Sequence, residues 1–405
     1  MNKTFTCIRL FLIAAGMLIS GFLLSSEKIL PNNHEVKYVI LMVPDGMNLS
    51  SVTAARIKLN GIGGDPLNME TLERVGYQRT YSALNTVTDS SAAASTWACG
   101  EKFVNNEVCL HMDGRPNNHS LLELAKARGM STGLVATQTI THATPAAFGA
   151  HVLAPPGISP RSCETEIARQ YVTETQPDVI LGGGRLKFNN PAGDKCLAPG
   201  DNYVEVATAL GYTYASTPAE LDAAVAAAPE KLLGLFADGQ LKPEFQRTDA
   251  TNEPHLPEMT EAALSVLERN KTGFFLLVEG SLIDSANHAA NLDYLVGEMG
   301  AFDSSVKVVL DWIAAKPDRK EHTLLMVLPD HETGALAIHG TEAPGGEPLG
   351  FFINAYSWPA PPLATETHHA GGDIVFWVQG PGSEVLARPI DNTFVYHAIR
   401  ALLRY

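Results

Sequence analysis

Phe274-Phe275-Leu276-Leu277-Val278-Glu279-Gly280-Ser281-Leu282-Ile283-Asp284, with His288 one helical turn further on, decides the fold class. Five consecutive apolar residues without polar alternation describe a strand covered on both faces, as in a sheet sandwiched between helices. The run stops abruptly at Glu279 and Gly280. The same pattern recurs at residues 38–43, 133–136, 179–181, 324–328 and 374–378, with helical spacing between the runs over 120–127, 166–172, 259–268 and 292–313. Alternating strands and helices predict an α/β fold with a largely parallel central sheet and helices on both faces. Residues 189–202 and 345–365 read as loops, and the Ala-rich 215–235 reads as a surface helix with its flanks. No internal repeat or low-complexity segment interrupts the pattern.

In such sheets the chemistry gathers beyond the carboxyl ends of the strands. The run 38–43 is followed by Pro44-Asp45-Gly46-Met47, and 324–328 by Asp330-His331-Glu332-Thr333-Gly334. Thr367-His368-His369-Ala370-Gly371 precedes 374–378. Asp284 and His288, at i and i+4, share one helix face and can hold one ion. Singly, an Asp after a strand is a cap and a His a core residue. Four elements delivering carboxylates and imidazoles to one edge describe a site for zinc-like ions. A different signal is Val87-Thr88-Asp89-Ser90, followed by small residues to Trp97. Asp89 or Ser90 can cap a helix there, placing a hydroxyl where backbone N–H groups attract an anion.

The chain has 405 residues, 45% hydrophobic, enough for a sizeable core. Its 29 Lys and Arg against 44 Asp and Glu give a net charge of −15 with no basic run, which argues against nucleic-acid binding. Lys3 and Arg9 precede a short apolar stretch over 10–24, the pattern of a secretory signal. Cleavage near Ser26 is expected over an uncleaved N-terminal anchor, leaving a catalytic domain over 27–405 with net charge −17, secreted or periplasmic and without stable membrane association after cleavage. Beyond Cys7 the four cysteines Cys99, Cys109, Cys163 and Cys196 suggest two disulfides, and the sequence does not choose among three connectivities; pairing neighbours would give Cys99–Cys109 and Cys163–Cys196.

The chain resembles the alkaline phosphatase family from about Tyr38 to Pro381, with the motifs in the family's order. Thr88-Asp89-Ser90 is similar to the nucleophile motif, which implies Ser90 as the residue phosphorylated. The resemblance implies two zinc ions and one magnesium: Asp284, His288 and His369 on one zinc, Asp45, Asp330 and His331 on the other, and Asp45, Thr144 and Glu279 on magnesium. It also implies phosphate monoester substrates of broad range and a homodimer. His142 stands where family members carry either Asp or His. The family's phosphate-gripping Arg follows a His-Val pair closely, yet His151-Val152 is followed by Leu153-Ala154-Pro155-Pro156. A short insertion within 153–160 accommodates this, and assigns the role to Arg161.

A monoester is doubly anionic, so an acidic protein needs local positive charge to receive it; divalent ions and an Arg fork provide it. A phosphodiesterase of the same superfamily and a non-catalytic metal- or phosphate-binding protein are the competing readings. A sulfatase reading fares worse, since Cys196-Leu197-Ala198-Pro199-Gly200 lacks the required spacing and Arg. Leu181-Gly182-Gly183-Gly184-Arg185 matches neither nucleotide-loop motif and reads as a tight strand exit.

Overall fold

The structure, a computed structural model, describes residues 36–115, 117–338 and 368–404. The expected export signal (1–26) and the loop at 345–365 lie outside them. Twelve strands are β1 (Tyr38–Pro44), β2 (Arg74–Arg79), β3 (Ser131–Thr139), β4 (Val179–Gly183), β5 (Tyr212–Ala215), β6 (Lys231–Leu235), β7 (Phe274–Gly280), β8 (Thr323–Val327), β9 (Glu332–Thr333), β10 (His369–Ala370), β11 (Ile374–Gln379) and β12 (Pro389–Asp391). Ten form one sheet in the order β12-β2-β11-β8-β1-β7-β3-β4-β6-β5; β9 and β10 form a separate two-residue ribbon. Every pairing in the large sheet is parallel except those of β11 with β8 and β2.

The central strands are apolar throughout because both faces are covered. In β7, Phe274, Leu276 and Val278 point into a core shared with the helices Leu256–Leu267 and Leu292–Ala314. Phe275 points the other way and meets Phe148 of the helix Ala143–Gly149, with ring centroids 5.6 Å apart. The α/β expectation with helices on both faces therefore holds. Residues 215–235 differ from expectation. They contain the helix Pro218–Ala226 and then β6, separated by Ala228 at φ 58° and Pro229. Proline removes a backbone donor and the left-handed residue ends the helix, so alanine propensity does not carry through.

Gly184, at φ 94°, turns the chain from β4 into the helix Arg185–Asn189, the tight exit that the glycine run predicts. The disulfides are Cys99–Cys109 and Cys163–Cys196, with Cα separations of 6.3 and 5.3 Å. No helix among the described residues is long and apolar enough to cross a membrane.

Candidate active site

Strands β8, β1, β7 and β3 are neighbours and run in one direction, so their carboxyl ends share an edge. Asp45 and Gly46 follow β1, Glu279 and Gly280 end β7, and Asp330 and His331 follow β8. Because β11 runs opposite, its amino end reaches the same edge. The ribbon pairs His369 with Thr333 and returns the chain there. Gly46 makes the convergence possible. It holds φ 68°, donates its N–H to Asp330 Oδ1 at 3.0 Å, and a Cβ there would lie 2.6 Å from Asp284 Oδ1.

Two groups of ligand-type atoms meet at this edge. Asp45, Asp330 and His331 form one, and Asp284, His331 and His369 the other, each with its donor atoms within 4.8 Å of one another. His331 Nε2 lies 3.0 Å from Asp330 Oδ2 and 3.7 Å from Asp45 Oδ1. Asp284 Oδ1 is 3.7 Å from His369 Nε2, and its Oδ2 is 3.3 Å from His288 Nε2, which adds His288 from the helix Leu282–His288. The rings of His331 and His369 stack with centroids 3.7 Å apart.

Thr333, which the sequence offers only as part of a motif, ties the groups together. Its hydroxyl lies 2.5 Å from Asp284 Oδ1 and 3.2 Å from His331 Nδ1. A hydroxyl has one proton. If it goes to the carboxylate, Nδ1 must be an N–H of His331, and in the neutral ring the Nε2 lone pair faces the cluster.

The donor set fits cations. Among the described residues eight buried side-chain N or O atoms lack a hydrogen-bond partner, and five are here: Asp45 Oδ1, His142 Nδ1, Thr144 Oγ1, Glu279 Oε1 and Asp330 Oδ2. Buried polar atoms without a partner cost free energy unless an ion or water satisfies them. Asp45, Glu279 and Asp330 are fully buried, and no lysine or arginine among the described residues bonds to them. Burial, then the neighbouring Asp330, Asp284 and Glu279, push Asp45 well above the carboxylate range. Burial pushes Glu279 up to about 7, against the hydrogen bond from Ser281 Oγ at 2.6 Å. Burial also opposes ionisation of Asp284, but His288, His331 and His369 hold it well below the usual range. Asp45 and Glu279, which burial pushes up, and Asp284 and Asp330, which neighbouring imidazoles hold ionised against burial, constitute an oxygen- and nitrogen-rich cation site.

Ser90 opens the helix Ser90–Cys99 beneath this cluster. Its Oγ is 3.2 Å from His331 Nε2, and Asp89 caps the helix by accepting from Ala92 N–H at 2.9 Å. Asp89 Oδ2 also takes Ser91 Oγ at 3.0 Å and the Arg161 guanidinium at 2.8 Å. The second guanidinium arm is 3.3 Å from His142 Nε2. Burial and the Arg161 charge push His142 down to about 4, so its ring is neutral at ordinary pH. All ten sequence candidates, Ser90, Arg161, Asp45, Thr144, Glu279, Asp284, His288, Asp330, His331 and His369, thus lie on elements that meet at this edge or on the helix and turn beside it. Sequence reading missed Asp89 as the partner of Arg161, because an N-cap Asp accounts for itself locally.

The sequence profile described as "Alkaline phosphatase" matches residues 36–351. Alkaline phosphatase 3 of Bacillus subtilis (strain 168) is 35% identical over 323 residues, covering 78% of this chain and 65% of that protein. The alkaline phosphatase of Escherichia coli (strain K12) is 32% identical over 417 residues, covering 91% and 86%. Among solved structures, a His-to-Glu variant of the TAB5 alkaline phosphatase with Mg bound in its M3 site superposes with a TM-score of 0.74 at 27% identity, covering 92% of this chain and 99% of that one.

Proposed function

Because this chain belongs to the alkaline phosphatase family, we propose that it hydrolyses phosphate monoesters of broad range by passing the phosphoryl group first to Ser90 and then to water. The observation that carries the reading is Ser90 Oγ, 3.2 Å from His331 Nε2, where both ligand groups meet. Asp284, His288 and His369 would hold one zinc, Asp45, Asp330 and His331 a second, and Asp45, Thr144 and Glu279 a magnesium, the ion that the TAB5 variant binds. Such ions supply the positive charge that a dianionic substrate requires and favour the ionised serine hydroxyl.

The protein's own groups do the positioning. The helix that begins at Ser90 directs its N-terminal field at the same spot, which favours an incoming anion. Arg161, oriented by Asp89 and His142, can turn its fork to two non-bridging oxygens, a grip that Lys does not reproduce. Asp89 keeps the guanidinium beside Ser90 despite the insertion within 153–160. That favours the monoester over the phosphodiester reading, which a displaced Arg would support. The first 26 residues would direct export, residues 27–405 would form one catalytic domain, and two copies would pair as a homodimer.

In Ser90→Ala supplied with zinc and magnesium, turnover of an aryl phosphate should vanish while metal content stays at the native level; near-normal turnover would sink the mechanism. Comparing kcat/KM for a monoester and its methyl diester tests specificity, and preference for the diester would reverse the substrate reading.

A further inference from the structure

Arg161 sits in a short 3-10 turn, Pro160–Ser162, beyond the loop Leu153-Ala154-Pro155-Pro156-Gly157, in which Leu153 is 70% exposed; the turn sets its backbone locally but not its distance from the Ser90 helix. Something else must hold the guanidinium at a set distance from the nucleophile. We propose that Asn106 does so, as a positioning residue that clamps Arg161 to the Ser90 helix; this rests on Arg161 being the group that grips phosphate.

Asn106 touches both sides of the ion pair through its backbone. Its N–H donates to Asp89 Oδ2 at 3.0 Å, the oxygen that also binds the Arg161 guanidinium at 2.8 Å. Its carbonyl accepts the Arg161 N–H at 3.2 Å, and its side-chain Oδ1 accepts Ser159 Oγ at 3.0 Å. The two backbone bonds point to opposite partners because Asn106 sits at φ 78°, a left-handed conformation that Asn tolerates and β-branched residues do not.

The clamp is anchored from behind. Cys109 joins Cys99 at the far end of the Ser90 helix, and its N–H donates to Ser95 Oγ at 2.9 Å. Ser95 Oγ in turn lies 3.3 Å from the Glu107 carbonyl. Asn105 holds the near end, with Nδ2 donating to the Val87 carbonyl at 3.1 Å. The disulfide-closed loop is therefore fixed to the helix that carries the nucleophile, and Arg161 is fixed to the loop.

Loosening the clamp should weaken binding of substrate and inorganic phosphate, since the Arg161 guanidinium would donate to the non-bridging oxygens of both. The experiment compares KM, kcat and inhibition by inorganic phosphate in the metal-loaded protein, Asn106→Val, Asn106→Gly, Arg161→Ala and the Val/Ala double variant. Asn106→Val is expected to raise KM and the phosphate inhibition constant about tenfold with kcat changed far less, as a misplaced binding group would. Asn106→Gly keeps the left-handed backbone and both backbone bonds, and should recover most of that loss. With Arg161 already Ala, adding Asn106→Val should cost little more, because its effect passes through the missing side chain.

Equal phosphate inhibition of Asn106→Val and the native protein would overturn the proposal, as would an identical loss with and without Arg161. If Arg161→Ala itself left phosphate inhibition unchanged, the assignment of Arg161 would fail and the clamp with it. Melting curves accompany each variant, and Asn106→Ala replaces Asn106→Val in the same comparison should the valine protein not fold.

Discussion

Replacing Gly46 with alanine would put a methyl group into a tight point of the strand-end convergence. The new Cβ would stand 2.6 Å from Asp284 Oδ1, 2.8 Å from Thr333 Oγ1 and 3.0 Å from the Asp284 Cα, where ordinary contact begins near 3.4 Å. Clearing the carboxylate oxygen alone demands about 0.8 Å of movement. Asp284 cannot yield freely, since Thr333 and His288 hold its two oxygens. The left-handed backbone adds about 1–2 kcal/mol for an L residue. A displacement approaching 1 Å at a positioning group costs on the order of 10²-fold in rate, or about 2.7 kcal/mol of transition-state stabilisation. We therefore expect Gly46→Ala to lose about 10²-fold in kcat/KM on an aryl phosphate and to bind less zinc at fixed free metal, while remaining folded by circular dichroism. Steady-state kinetics with parallel elemental analysis would measure both. Activity within about threefold of native at full zinc content would refute the packing argument.

Two further outcomes follow from the charges. Chelating the metals should lower the melting temperature, because Asp45, Glu279, Asp284 and Asp330 are then left to repel one another, and adding zinc and magnesium back should restore it; an unchanged melting temperature would contradict the cation-site reading. Glu298, on the helix Leu292–Ala314, is buried and pushed up to about 8, chiefly by burial. A carboxyl whose folded pKa is raised binds more protons folded than unfolded, so it weakens stability progressively as pH rises from about 4.5 through 8. Glu298→Gln keeps an acceptor for the Glu244 N–H at 2.7 Å, and should raise the melting temperature at pH ~9 by several degrees while changing it little at pH ~5. An equal shift at both pH values would show that the charge is not responsible.

The sequence was most legible where burial on both faces suppresses alternation. β1, β7 and β8 stand out as unbroken apolar runs, and the acidic and imidazole residues directly after them are visible for that reason. The sheet edges were not legible. β2 reads Arg74-Val75-Gly76-Tyr77-Gln78-Arg79 with four of six residues exposed, and nothing in it distinguishes a strand from a loop. β6 was hidden behind an alanine-rich helix whose end is set by one left-handed residue. At the site, residue types and spacing indicated the ligands, but the reversed direction of β11, which brings His369 to the shared edge, depends on strand order. Asn106 left no trace in composition or periodicity, because its contribution is two backbone bonds made possible by a positive φ.

Acid-quenching the metal-loaded protein during turnover of a phosphate monoester, followed by peptide mapping by mass spectrometry, asks the central question most directly. The account predicts one added phosphoryl group on the peptide that contains Ser90, and on no other. A phosphoryl group carried by a different residue under conditions of full activity would contradict it.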